Sequence, residues 1–328
     1  MISMSLCSSA SQEKKMNPDT ERTQPAGMIF DLKRFAVHDG GGLRSTLFLK
    51  GCPLRCPWCQ NPEGLEKEPL LWYDPSQCMR CATCISVCPQ NALSMTSANG
   101  DSPERIHMVP SACSLCGKCE EACPAAAIEV RGRRIGVQEA VSMLLRDRIF
   151  FRDSGGVTLS GGEVLLQWEF AAAVLAECKA QGADTAIETS LMGPPRAVEE
   201  LMKVTDHFLI DIKIFDPEKH RQIIGTDNRR ILANYEMLLH GNADVLVRTP
   251  LIPGYTADDE NIRSIARYIV SQDPDARYEL LKYNPLCRSK YEALERPYPV
   301  DEIRPLSAEE MEHFYEILRE EHVPHIIT

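Results

Sequence analysis

TLFLKGCPLRCPWC, residues 46–59, decides the fold: a short apolar strand, Thr46 to Leu49, runs straight into a loop with cysteines at 52, 56 and 59. Three thiolates from one short loop suit a four-iron cubane, because one iron is left without a protein ligand and can take a chelating substrate. A structural zinc site is the bland alternative, but it wants four ligands, usually in C-x2–4-C pairs. A disulfide would leave one of the three cysteines unpaired.

Downstream, between about Trp72 and Val130, cysteine, proline and small residues punctuate short segments, and C-x2-C-x2-C-x3-C-P occurs twice: at Cys78, Cys81, Cys84 and Cys88, then at Cys113, Cys116, Cys119 and Cys123. That repeat is the bacterial two-cluster ferredoxin pattern, in which the fourth cysteine of each run ligates the other cluster. One set is therefore Cys78, Cys81, Cys84 and Cys123, the other Cys113, Cys116, Cys119 and Cys88. Both sets are closed to substrate, which leaves them electron relay, the folding of an otherwise coreless module, or both.

From about Ile135 strand-like and helix-like segments alternate. Strands are expected at Val157–Ser160, Thr185–Thr189, Phe208–Ile212, Val245–Thr249 and Tyr278–Tyr283. Helices are expected from Val164 to about Lys179, near Pro195–Val204, through Asp216–Leu239, near Asp258–Val270 and at Ser307–Glu320. Such alternation predicts parallel strands with crossover helices, in a doubly wound sheet or a full or partial barrel. Polar or glycine residues stand where each strand should end: Gly161-Gly162-Glu163, Glu188-Thr189, Asp211-Ile212-Lys213, Arg248 and Asn284. In a barrel these ends converge on one mouth.

The 328 residues carry a net charge of −11 with a pI near 5.3, which argues against nucleic acid as the main partner. No apolar run of about 18 residues predicts a membrane span, and residues 1–26 read as a polar mobile tail without a secretory signal. A cytoplasmic location follows, where the 14 cysteines stay thiols and metal binding accounts for them better than disulfides. Cys7, Cys178 and Cys287 lie outside the three clusters and read as ordinary residues.

Cys52-x3-Cys56-x2-Cys59 resembles the signature of the radical S-adenosylmethionine (SAM) superfamily, and the residues around it resemble its glycyl-radical-enzyme activating branch. The likeness runs from about Gly27 to Tyr298. It is carried by His38-Asp39-Gly40 leading to Arg44, by Trp58-Cys59-Gln60-Asn61-Pro62-Glu63, by Ser160-Gly161-Gly162-Glu163, by Asp211-Ile212-Lys213, by Val247-Arg248-Thr249-Pro250, and by Tyr283-Asn284-Pro285. The resemblance implies a partial (β/α) barrel, residues 27–71 and 133–328, with a ferredoxin-like insert at 72–132 and three [4Fe–4S] clusters. It implies reductive cleavage of SAM to methionine and a 5′-deoxyadenosyl radical, which takes hydrogen from a glycine of a partner enzyme, with a reduced flavodoxin or ferredoxin as electron donor.

Position by position, the likeness makes Cys52, Cys56 and Cys59 the ligands of the open cluster and sets Trp58 and Gln60 beside the cofactor. It puts Gly161, Gly162 and Glu163 at the methionyl amino group, and Asp211, Ile212 and Lys213 near the carboxylate and ribose. Glu188 and Thr189 fall where the family holds a monovalent cation, Arg248 near the nucleoside, Asn284 near the adenosyl group, and Asp39 in a loop that meets the partner's peptide. Read without the family, each is a polar strand end or a surface residue. Three positions depart from the pattern: Val164 and Gly41 replace prolines, and Leu191 replaces a glycine. Radical chemistry on a small molecule or peptide is one alternative, and a plain electron-transfer protein is another.

Overall fold

The computed structural model describes residues 25–96, 104–152 and 154–328; Cys7 and nearly all of the expected tail lie outside them. The chain opens with the antiparallel strands β1 (Ala26–Ala36) and β2 (Arg44–Leu49), the second ending at the cysteine loop. A small module follows. Strand β3 (Leu70–Tyr73) leads to the one-turn helix α1 (Thr83–Ser86) and the hairpin of β4 (Leu93–Met95) and β5 (Ile106–Met108). Helix α2 (Lys118–Glu121) and β6 (Ile128–Arg131) complete it, β6 pairing with β3 as a two-stranded stem.

After β7 (Arg133–Gly136) and α3 (Val137–Leu144) come the repeating units: β8 (Gly156–Gly161), α4 (Trp168–Ala180), β9 (Asp184–Thr189), α5 (Pro195–Met202), β10 (His207–Asp211), α6 (Pro217–Ile224), α7 (Arg229–His240), β11 (Asp244–Leu251), α8 (Asp259–Gln272) and β12 (Arg277–Lys282). Helices α9 (Arg288–Ala293) and α10 (Ala308–Glu320) and strand β13 (His325–Ile327) close the chain. Helix starts follow capping chemistry: Asp216, Asp258 and Ser307 each accept a backbone N–H of the first turn, and Ser307 with Glu310 forms a capping box.

Nine strands form one sheet in the order β13-β12-β11-β10-β9-β8-β2-β1-β7, with β2 and β8 to β13 all parallel. Its two edges do not pair, so the barrel is partial. No helix among the described residues is long and apolar enough to cross a membrane. Strand alternation sets the two faces. Leu47, Leu49, Val157, Leu159, Ile187, Ile210 and Val247 point outward into one core with Phe170, Val174 and Leu175 of α4. Their neighbours Thr46, Thr158, Ser160, Glu188, Asp211 and Arg248 therefore face the hollow of the barrel. The small module has its own core, of Leu71, Tyr73, Leu93, Ile106, Met108 and Ile128 around Cys84 and Cys119.

The expected 164–179 helix is a 3-10 turn, Val164–Gln167, followed by α4, and the helices expected through 216–239 are α6 and α7 with a break between them. In that break Asn228 turns inward and its Nδ2 donates to the carbonyl of Ile214, 3.0 Å away.

Candidate active site

A cavity of about 220 Å³ opens at the carboxyl ends of β2, β8, β9, β10, β11 and β12. One wall is the cysteine loop, with Cys52, Cys56, Cys59, Trp58 and Gln60; the facing walls are Gly161 and Gly162, Glu188 and Thr189, Asp211 and Lys213, and Arg248. Twelve positions singled out in the sequence thus meet in one place. The turn between them is tight. Gly161 has a φ of +109°, and a Cβ on Gly162 would lie 2.3 Å from the carbonyl oxygen of Gly51, because the cysteine loop's backbone crosses the turn there.

The inner wall is ionic. Lys213 Nζ donates to Asp211 Oδ2 at 3.0 Å, and Arg248 Nη1 donates to Glu188 Oε1 at 2.9 Å, while the Ser160 hydroxyl donates to the other Glu188 oxygen. Burial opposes charge on Asp211, but Lys213 and Arg248 outweigh it and hold the carboxyl below its usual range. Burial likewise opposes charge on Lys213, and Asp211 reverses it, so the ammonium persists. Asp211 Oδ1 and Arg248 Nε lie 3.5 Å apart as an ion pair, both buried in the cavity wall and without a hydrogen bond of good geometry. Burial pushes all three cavity thiols up, Cys52 to about 12, so each keeps its proton unless a metal supplies the compensating charge. No three such side chains among the described residues close on a single ion-sized point. Three thiols on one cavity wall are the donor set of a cubane with one iron left open.

Four expected residues stand outside the cavity. Glu163 is fully buried behind it, and its carboxylate accepts from Leu165 N–H at 3.0 Å, Ser190 N–H at 2.9 Å and the Thr189 and Ser190 hydroxyls, tying the β8 turn to the end of β9. Ile212 packs in the outer core and lends backbone only, its N–H donating to the Arg248 carbonyl at 3.1 Å. Asn284 is exposed, and its carbonyl accepts from Gln60 Nε2 at 3.3 Å. Asp39 sits near the start of β2, away from the cysteine loop, and accepts from the Thr46 hydroxyl at 2.7 Å. Ser160, Ser190 and Asn61 also line the cavity, although the sequence assigns them no role; strand alternation is the available signal for Ser160.

The two halves of the small module superpose by sequence offset. Arg80, Ala82 and Asn91 have positive φ, as do Leu115, Gly117 and Ala126, each thirty-five positions later. The N–H of Arg80 points at Cys78 Sγ and that of Leu115 at Cys113 Sγ, both at 3.4 Å; those of Ala92 and Ala127 point at Cys88 and Cys123. Cys123 lies with Cys78 and Cys81 near enough to Cys84 to raise its thiol pKa, which burial raises most. Cys88 faces a second, small cavity with Cys113, Cys116 and Cys119. The fourth cysteine of each run thus lies beside the other run's first three.

Residues 110–266 match the radical SAM superfamily, and residues 77–127 match the 4Fe-4S dicluster domain. The chain is 35% identical to the indoleacetate decarboxylase activating enzyme of Tractidigestivibacter scatoligenes, over 92% of this chain and 97% of that one. It is 38% identical to the trans-4-hydroxy-L-proline dehydratase activating enzyme of Clostridioides difficile, over 87% of this chain and 93% of that one. The chain belongs to the glycyl-radical-enzyme activating enzymes of the radical SAM superfamily. A solved domain of a pyruvate-formate lyase-activating enzyme from Bacteroides vulgatus aligns with 53% of this activating enzyme and 98% of that domain, at 29% identity and a TM-score of 0.44. As a radical SAM activating enzyme the protein binds iron–sulfur clusters and SAM, and it cleaves SAM to activate a partner glycyl-radical enzyme. At the Leu191 departure the leucine takes the left-handed conformation that glycine favours, φ 60°, held by Thr189 Oγ1 on its N–H and Asn234 on its carbonyl.

Proposed function

We propose that this activating enzyme carries three [4Fe–4S] clusters and makes a glycyl radical on its partner with a 5′-deoxyadenosyl radical released in the cavity. The carrying observation is a single cavity in which three cysteines of one loop face Asp211, Lys213, Glu188 and Arg248 at the strand ends. Cys52, Cys56 and Cys59 would hold the open cluster, which supplies one electron to the sulfonium of bound SAM. Gly161 and Gly162 offer backbone to the methionyl amino group, Asp211 and Lys213 reach the carboxylate and ribose, and Arg248 faces the nucleoside. Glu188 and Thr189 are the place for a monovalent cation, although Glu188 is already paired with Arg248. Glu163 acts by holding the turn, and Asn284 by holding Gln60. Asp39 belongs to the partner's side of the barrel.

The eight cysteines of the 72–132 insert would hold two fully ligated clusters that pass electrons inward from a reduced flavodoxin or ferredoxin, in the cytoplasm. Water is kept from the reacting atoms by the apolar part of the wall, Leu54, Trp58, Leu65 and Leu281. The test is anaerobic, with glycyl-radical enzymes deuterated at the glycine α-carbon, the partners of the indoleacetate and hydroxyproline relatives among them. Deuterium is expected in the 5′-deoxyadenosine, with a glycyl radical seen by electron paramagnetic resonance. Product that forms while every partner keeps its label would move the reading to a small-molecule substrate.

A further inference from the structure

Glu63 lies four residues beyond Cys59, in the 3-10 turn Pro62–Gly64, and is only 1% exposed. Its Oε1 is 2.7 Å from Lys290 Nζ and 3.8 Å from Arg131 Nη1, and neither carboxylate oxygen has a hydrogen bond of good geometry among the described residues. A buried carboxylate survives only with such partners. They come from distant parts of the chain. Arg131 ends β6 in the stem of the insert, where its guanidinium lies 3.4 Å from the centroid of the Trp72 ring on β3. Lys290 is on α9 and also donates to Asn61 Oδ1 at 3.0 Å, while its neighbour Tyr291 donates to the Cys59 carbonyl at 3.1 Å. Beneath them Lys50 is fully buried and donates to the Glu63 carbonyl, and a Cβ on Gly132 would lie 2.8 Å from Lys50 Cδ. One carboxylate thus gathers the cysteine loop, the insert and helix α9, and it stands behind the SAM cavity rather than among its lining residues.

We infer that Glu63 is a positioning residue that clamps the stem of the insert, through Arg131, onto the loop carrying Cys59, fixing the separation between the insert's cysteine sets and the three-cysteine site. The inference rests on the relay reading of the insert. Electron transfer weakens steeply with separation, so a loosened clamp slows delivery from the insert and leaves direct reduction of the three-cysteine site alone.

The test uses the full chain with clusters reconstituted, as wild type, Glu63→Gln, Arg131→Met and Cys116→Ala. SAM cleavage is measured with reduced flavodoxin and with dithionite, and freeze-quench paramagnetic resonance without SAM follows how fast flavodoxin electrons arrive at the three-cysteine site. With iron content at the wild-type level, Glu63→Gln and Arg131→Met should slow the flavodoxin-driven reaction and the electron arrival on the order of ten-fold, and the dithionite-driven reaction less than about two-fold. Equal loss with both reductants, or no loss with either, overturns the clamp. Should Glu63→Gln lose iron, Arg131→Met decides alone by the same split, since Arg131 is partly exposed and leaves Glu63 paired with Lys290. If Cys116→Ala leaves the flavodoxin-driven reaction intact, the relay reading has failed and the clamp with it. If Cys116→Ala abolishes that reaction while the other two variants behave as wild type, the clamp alone has failed.

Discussion

Gly162 is small because another backbone passes over it. Its missing Cβ is the gap that lets the Gly51 carbonyl, and with it the whole cysteine loop, lie against the β8 turn; the same added Cβ would also lie 2.9 Å from the Gly64 carbonyl oxygen. Gly162→Ala is therefore expected to displace the three-cysteine loop and weaken SAM binding about ten-fold, the consequence of one methyl group forced into packed backbone. Equilibrium binding of SAM to the reconstituted protein checks this; affinity unchanged from wild type would show that the loop has slack. The glycines, the cysteines and the acid–base pairs at strand ends were legible because their chemistry is unusual for their position. Glu163 was legible as a site residue but not in its role, since nothing in a linear sequence tells whether a carboxylate after a glycine turn faces the ligand or, as here, the backbone of the next strand. Glu63 stands in the motif after Cys59 with no role of its own, because a glutamate is ordinary until it is buried.

At the scale of elements, apolar runs between polar ends placed β8 to β12 within a residue or two, as expected of strands covered on one side by helices. Strands β7 and β13 were missed: each is short, carries arginine or histidine, and exists because a neighbouring edge is there to pair with. The opposite ends of the inner strands hold a different cluster. His207, which opens β10, points Nε2 at Asp184 Oδ2, 2.9 Å away at the start of β9, and Nδ1 at Asp244 at the start of β11. Asp184 raises its pKa most, burial opposes, and Asp244 adds to the rise, to about 9. The folded value lies above the unfolded value of about 6.5, so the contribution to stability is complete below about pH 6.5 and is lost as pH rises through about 9. His207→Gln should accordingly lower the apparent urea midpoint at about pH 6, with the gap to wild type closing by about pH 10. A gap that stays constant across that range would mean that the histidine acts by packing.

For the whole molecule, the reading with three clusters predicts about twelve irons per reconstituted chain. Cys56→Ala should abolish methionine formation and lower iron to about eight, because the insert keeps its own thiols. Cleavage that persists in that variant would refute the assignment of the open site. The insert itself was the most legible part of the sequence, since cysteine spacing needs no tertiary context, whereas its placement on the barrel depends on Arg131, Gly132 and Lys50 meeting in three dimensions. The exchange of Cys88 and Cys123 between its halves makes the two halves mutually dependent. Each half brings three thiols to one set and a fourth to the other, so a lone half could complete no set; two copies meeting face to face could complete both. The left-handed residues that recur at the same interval in both halves show that each half folds alike and borrows from the other the one thiol it cannot place itself.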